Sequence, residues 1–131
     1  MDSRKNILVV EDHKSIRLLL GNLLGKDYTV TTKADGFAGM AWLTNGNIPD
    51  LIVLDMSMPR LNGLEFLRSI RNSGFYHRIP VIVLSGNDDE KDVAQCDKMG
   101  VAQYLTKPFN PINLRKNISE ILAATETAAA Y

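Results

Sequence analysis

Three short runs in this sequence are apolar at every position: Ile7–Val10 (ILVV), Leu51–Leu54 (LIVL) and Val81–Leu84 (VIVL). A strand with one face in water alternates apolar and polar residues, whereas an unbroken β-type run belongs to a strand covered on both faces. Between the runs lie helical patterns. Ile16, Leu19, Leu20, Leu23 and Leu24 recur at helical spacing, as do Leu114, Ile118, Ile121 and Leu122 behind Pro111, which suits a first helical turn. Phe37, Met40, Ala41 and Leu43 predict a helix closed by Asn45-Gly46. Leu64, Leu67, Ile70 and Arg71 predict another that ends near Ser73-Gly74, and Asp88–Met99 a charged one capped by Gly100. Weaker strand patterns fall at Tyr28–Thr32 and Ala102–Leu105. Strict alternation of this kind implies an α/β, doubly wound parallel sheet with right-handed crossovers.

At 131 residues the chain is long enough for one well-cored domain. Fifteen basic residues balance fifteen acidic ones, so no global field draws it to nucleic acid or to an anionic membrane. The single Cys96 excludes an internal disulfide, and no Cys/His group has zinc spacing. The opening MDSRKN is neither a signal peptide nor part of a membrane span. The expectation is a soluble, cytoplasmic domain over residues 1–124, with a disordered Ala-rich tail at 125–131.

Ligands of such sheets bind beyond the carboxyl ends of the strands, so the residues that close each run matter most. Ile7–Val10 closes in Glu11-Asp12, Leu51–Leu54 in Asp55, Val81–Leu84 in Ser85-Gly86, and Ala102–Leu105 in Thr106-Lys107-Pro108. Three carboxylates, a hydroxyl and an ammonium therefore meet at one rim. Clustered carboxylates raise one another's pKa or recruit a cation. An all-oxygen donor set favours Mg²⁺, with Mn²⁺ as a substitute. A carboxylate beside such an ion can attack phosphorus, and phosphoryl transfer needs mainly positioning and charge neutralisation. Asp55 is the expected nucleophile, with Lys107, Ser85 and backbone N–H groups holding the phosphoryl oxygens.

The set Glu11-Asp12, Asp55, Met58-Pro59 with Gly63, Ser85-Gly86, and Tyr104 followed by Lys107-Pro108-Phe109 resembles the receiver domain of two-component response regulators, from about Asn6 to Leu122. The resemblance implies a flavodoxin-like fold of strand order 2-1-3-4-5. It implies that Asp55 accepts a phosphoryl group from a histidine kinase or histidine phosphotransfer protein, and that the only reactions catalysed are the domain's own phosphorylation and dephosphorylation. Glu11, Asp12, Asp55 and the Ser57 backbone carbonyl would bind Mg²⁺. Ser85, Lys107 and the backbone N–H groups of Met56 and Gly86 would contact the phosphoryl oxygens. Ser85 and Tyr104 would form the switch, and the Lys107–Pro108 bond would be cis, a geometry only X-Pro reaches cheaply. An output protein would dock on the fourth helix, fifth strand and fifth helix, with the domain a monomer or weak dimer. Ser85 stands where threonine is commoner and Gly86 where alanine is usual, while Ser57 and Asn87 occupy the positions that tune phosphoryl lifetime.

Simpler readings stand beside these. Asp12 could cap the first helix, Ser85 could bond its own backbone, Tyr104 could be packing, and Lys107 a solvated lysine. Trp42 and Cys96 read as structural, His13 as a residue of the first helical turn without a chemical part, and Phe75-Tyr76-His77-Arg78 as a loop. A haloacid-dehalogenase-type phosphatase would want a second aspartate as general acid where Ser57 stands. A flavin or nucleotide module would want a Gly-rich loop where Glu11-Asp12-His13-Lys14 stand. A receiver cut from a longer regulator is a further alternative.

Overall fold

A computed structural model of the chain describes residues 4–58, 61–86 and 89–129. Pro59, Asn87 and Asp88 lie outside the described residues. Among those described, strands and helices alternate throughout: β1 (Asn6–Val10), α1 (Lys14–Leu24), β2 (Thr29–Lys33), α2 (Gly36–Thr44), β3 (Leu51–Asp55), α3 (Gly63–Arg71), β4 (Val81–Ser85), α4 (Glu90–Lys98), β5 (Gln103–Thr106) and α5 (Pro111–Ala129). The strands form one parallel sheet in the order β2-β1-β3-β4-β5, the expected flavodoxin-like arrangement.

Period-two geometry explains why three runs had to be apolar throughout. Successive strand side chains point to opposite faces. Leu8, Val10, Ile52, Leu54, Val81 and Val83 pack with Leu43, Phe66, Leu67, Ile70 and Cys96 of α2, α3 and α4. Their neighbours Ile7, Val9, Leu51, Val53, Ile82 and Leu84 pack with Leu20, Leu24, Leu114, Ile118 and Leu122 of α1 and α5. Both sets are buried. The edge strands are different: β2 and β5 are only half-buried, so polar residues are tolerated and their sequence signal is weak.

Helix starts are set by short polar side chains. Asp35 accepts from the Ala38 N–H, Asn62 from Glu65, Asp89 from Lys91, and Asn110 from Ile112 and Asn113. Gly100 follows α4 with φ of +69°, which suits the left-handed glycine beyond a helix end. Helix α1 is the exception: its N-cap is His13, with no side-chain cap, so Asp12 precedes the helix rather than capping it. At the other end α5 continues to Ala129. The helix thus runs through residues 125–129; alanine is the best helix former, and the segment contains no Gly or Pro to stop it.

Arg71 ties the base of the fold together. Its Nε donates to the Met99 carbonyl at 2.6 Å, Nη1 to Ile79 at 2.9 Å and His77 at 3.2 Å, and Nη2 to Gly100 at 3.2 Å. Arg71→Ala strands these carbonyls. It is expected to cost about 2–3 kcal/mol, read as a lower urea midpoint at unchanged slope. Arg71→Lys should recover less than half of that loss, since one ammonium cannot span four acceptors.

Candidate functional site

The register of the sheet assembles the site. Val10 pairs with Leu54, Asp55 with Leu84, and Ser85 with Thr106. Glu11, Asp55, Ser85 and Lys107 therefore step across the rim, each at or just past its strand's end. Glu11 and Asp55 are fully buried and Ser85 is 2% exposed. Lys107 leans over them, with Nζ 2.9 Å from Glu11 Oε1 and 3.3 Å from Asp55 Oδ1. The Lys107–Pro108 bond is cis.

Asp55 receives its donors on one oxygen. The Ser57 N–H donates to Oδ1 at 3.1 Å and Lys107 Nζ reaches the same atom, whereas buried Oδ2 has no donor. Burial pushes the Asp55 pKa up to about 7, and the Asp12 and Glu11 carboxyls add to this, while the Ser57 N–H opposes it. Burial also pushes Asp12 upward, but hydrogen bonds with the Asp55 and Glu11 carboxyls, and the charge of His13, outweigh it and leave Asp12 below its ordinary value. The two aspartates are thus pushed in opposite directions, Asp55 toward its neutral form and Asp12 toward its charged one. Burial lowers the Lys107 pKa, yet the bond to Glu11 and the charges of Asp55 and Glu11 raise it on balance, so the ammonium is firmly charged.

Glu11, Asp12, His13 and Asp55 each offer a ligand atom, and these atoms lie within 4.8 Å of one another. An undersupplied buried carboxylate oxygen facing other carboxylates fits a hard divalent cation, which takes oxygen ligands. Of the predicted residues, the structure brings together Glu11, Asp12, Asp55, Ser85 and Lys107. The Met56 N–H donates to the Leu84 carbonyl at 3.0 Å, extending the β3–β4 ladder, and the N–H that reaches the Asp55 carboxylate is that of Ser57. Gly86 is exposed, and a Cβ there would meet nothing within 4 Å. Gly86→Ala should therefore fold normally and gain about 0.4–1 kcal/mol through the unfolded chain, read as a higher denaturant midpoint. Tyr104 is half-buried against the core and lines a cleft of about 530 Å³ with Glu90, Val93, Ala94, Asp97 and Val101.

Two residues at the site carry more than the sequence suggested. Arg17 Nη1 donates to the backbone carbonyls of Glu11 at 2.9 Å and Asp12 at 2.8 Å, anchoring the acidic turn from one helical turn away. Its position five residues after Asp12 was the available signal. His13 was expected in the first helical turn, near the site but without a chemical part. It lies near the site as expected, one residue before the helix as its N-cap, with Nδ1 3.2 Å from both Glu11 Oε2 and Asp12 Oδ1.

Among the described residues no helix is long and apolar enough to cross a membrane. The chain matches the family model described as response regulator receiver domain over residues 7–119. It is 36% identical over 126 residues to the alkaline phosphatase synthesis transcriptional regulatory protein PhoP of Bacillus subtilis, a match covering 95% of this chain and 51% of PhoP. The chain thus spans about half the length of that relative. Its fold is similar to that of the Mn²⁺-bound response regulator Rcp1, with a TM-score of 0.77 and 36% identity over 89% of this chain and 91% of the other. It is also similar to the phosphorylated cyanobacterial phytochrome response regulator RcpA, with a TM-score of 0.78 and 34% identity over 91% of each chain. The family match runs from β1 into α5 and takes in every strand end that builds the acidic rim: this chain belongs to the response regulator receiver domain family.

Proposed function

We propose that this domain is a phosphoacceptor of a His-Asp relay, in which Asp55 takes a phosphoryl group from a histidine kinase or histidine phosphotransfer protein and the phosphorylated domain changes its binding to an output partner. The observation that carries this reading is Asp55 itself, fully buried at the end of β3, with Oδ2 lacking a donor and Lys107 on its other oxygen. A buried carboxylate is costly unless it is used or paired.

In this reading Asp55 attacks phosphorus, an Asp55–phosphoryl bond forms, and the bond to the donor's imidazole nitrogen breaks, its electron pair leaving with the imidazole. Glu11, Asp12, Asp55 and the Ser57 carbonyl would hold Mg²⁺ or Mn²⁺, and a bound ion would supply neutralisation of the charge that develops on phosphoryl oxygens. Lys107 and Ser85 hold the remaining oxygens, with the Gly86 N–H beside them. Both relatives with solved structures support the reading, one carrying Mn²⁺ and the other a phosphoryl group. Proton loss from Asp55 precedes attack, because a protonated carboxyl is a poor nucleophile. With its pKa near 7 in the absence of metal, about half of the metal-free sites are protonated at neutral pH and unable to attack.

Output leaves through α4, β5 and α5. Tyr104 stands on β5, three residues before Lys107, and lines the cleft against α4, so in this reading a movement of Ser85 toward the phosphoryl group would reshape that face. Moving such a switch fully from one state to the other takes about 5.5 kcal/mol of differential stabilisation, supplied by the new contacts to Ser85 and Lys107.

Incubation with acetyl phosphate, followed by intact-mass measurement, tests the reading. One labile phosphoryl group should appear with Mg²⁺ and be at least about tenfold reduced with excess EDTA. Equal incorporation without metal, or none under either condition, would remove the proposed chemistry.

A further inference from the structure

We propose that His13 is itself a ligand of the cation held by this rim, and that it shifts the site's preference from Mg²⁺ toward Mn²⁺ and the later first-row divalent ions. The inference rests on the proposed function only in taking the acidic rim to be a cation site.

Distance is the first argument. Donor atoms in neighbouring positions on an octahedral ion bound at about 2.1 Å lie about 3 Å apart. His13 Nδ1 is 3.2 Å from Glu11 Oε2 and 3.2 Å from Asp12 Oδ1. The imidazole nitrogen and two carboxylate oxygens therefore already have the spacing of a shared coordination face.

The turn that presents the ring is fixed independently of the ring. The His13 N–H donates to Glu11 Oε2 at 3.0 Å, its carbonyl accepts from the Arg17 N–H at 3.0 Å, and the Arg17 guanidinium holds the two carbonyls before it. The side chain is 60% exposed, so packing does not aim it; the two carboxylates do. A second observation points to a ligand here, the fully buried Asp55 whose Oδ2 has no donor.

Chemistry supplies the selectivity. Binding a cation would displace the proton from Nδ1 to solvent, leaving a neutral imidazole that carries its remaining proton on Nε2 and offers the Nδ1 lone pair. Imidazole suits Mn²⁺ less than Ni²⁺ or Zn²⁺ but all of them better than Mg²⁺, which keeps oxygen ligands and water. A receiver site made only of oxygens gains little from that distinction. One with His13 in place gains more with each step along the series.

Untagged protein should be titrated calorimetrically with Mg²⁺, Mn²⁺ and Ni²⁺ as wild type, His13→Asn, His77→Asn and Asp12→Asn. His13→Asn should weaken Ni²⁺ about tenfold and Mn²⁺ severalfold, while Mg²⁺ changes by less than about twofold. His77→Asn, which alters the only other histidine, should leave all three affinities in place. Pulsed electron paramagnetic resonance of Mn²⁺-loaded wild type should show a directly coordinated ¹⁴N that disappears in His13→Asn. Bound Mn²⁺ without that nitrogen coupling, or a parallel change for all three ions, would overturn the assignment of His13 while leaving the rim a cation site. Unchanged binding of every ion in Asp12→Asn would overturn the rim as the cation site, and His13 with it.

Discussion

Replacing Asp55 by asparagine should abolish the labile phosphoryl adduct and, at the same time, make the metal-free domain more stable at alkaline pH. The second effect follows from linkage. The folded-state pKa of Asp55 is raised from 3.8 to about 7, so between these values the folded chain holds a proton that the unfolded chain has released. Stability therefore falls as pH rises through this window, and the penalty is fully present above about pH 7. One pKa unit corresponds to about 1.4 kcal/mol. The downward shift of Asp12 and the lost contact with Lys107 offset part of the gain, leaving a net stabilisation on the order of 2 kcal/mol at pH 8. At pH 4 the wild-type carboxyl is protonated when folded, and the gain should nearly vanish. Urea unfolding of both proteins at the two pH values, without divalent metal, reads this directly. A gain of the same size at both would mean that the buried charge is not its source.

Gly63→Ala should be the most damaging single methyl that can be added near the site. A Cβ there would stand 2.5 Å from Met56 Cα and 2.7 Å from the Asp55 carbonyl oxygen. Both are backbone atoms of the segment that carries the nucleophile, and neither can rotate away. Overpacking of this kind costs about 1–3 kcal/mol, and an unyielding backbone places this case at the upper end. That corresponds to a fall in Tm of about 10 °C for a domain of this size. The strand end must shift to make room, so phosphoryl incorporation should drop even at temperatures where the variant remains folded. A Tm within 2 °C of wild type, with normal incorporation, would contradict the close packing of α3 against β3.

The legible part of this fold was the part that is buried. Ile7–Val10, Leu51–Leu54 and Val81–Leu84 are central strands covered on both faces, and their apolar runs left no other reading. Tyr28–Thr32 and Ala102–Leu105 were each placed one residue early, since β2 and β5 run Thr29–Lys33 and Gln103–Thr106. Edge strands lack the second buried face that pins a register to the sequence. The rim residues Glu11, Asp55, Ser85 and Lys107 were legible because each closes a strand. The direction of His13, the reach of Arg17 and the use of the Met56 N–H were not, because they depend on how a turn is held and not on residue type. Helix α5 runs past the apolar spacing that ends at Leu122, since alanine favours helix and no Gly or Pro follows.

The central claim is that Asp55 accepts the phosphoryl group, and the acceptor can be located chemically. Protein treated with acetyl phosphate and Mg²⁺ should be reduced with borohydride, which converts an aspartyl phosphate to homoserine, then digested and sequenced by tandem mass spectrometry. The account predicts homoserine at position 55, dependent on both phosphodonor and metal. Homoserine at position 12, or a phosphoryl group retained on Ser85 or His13 with Asp55 unaltered, would contradict it.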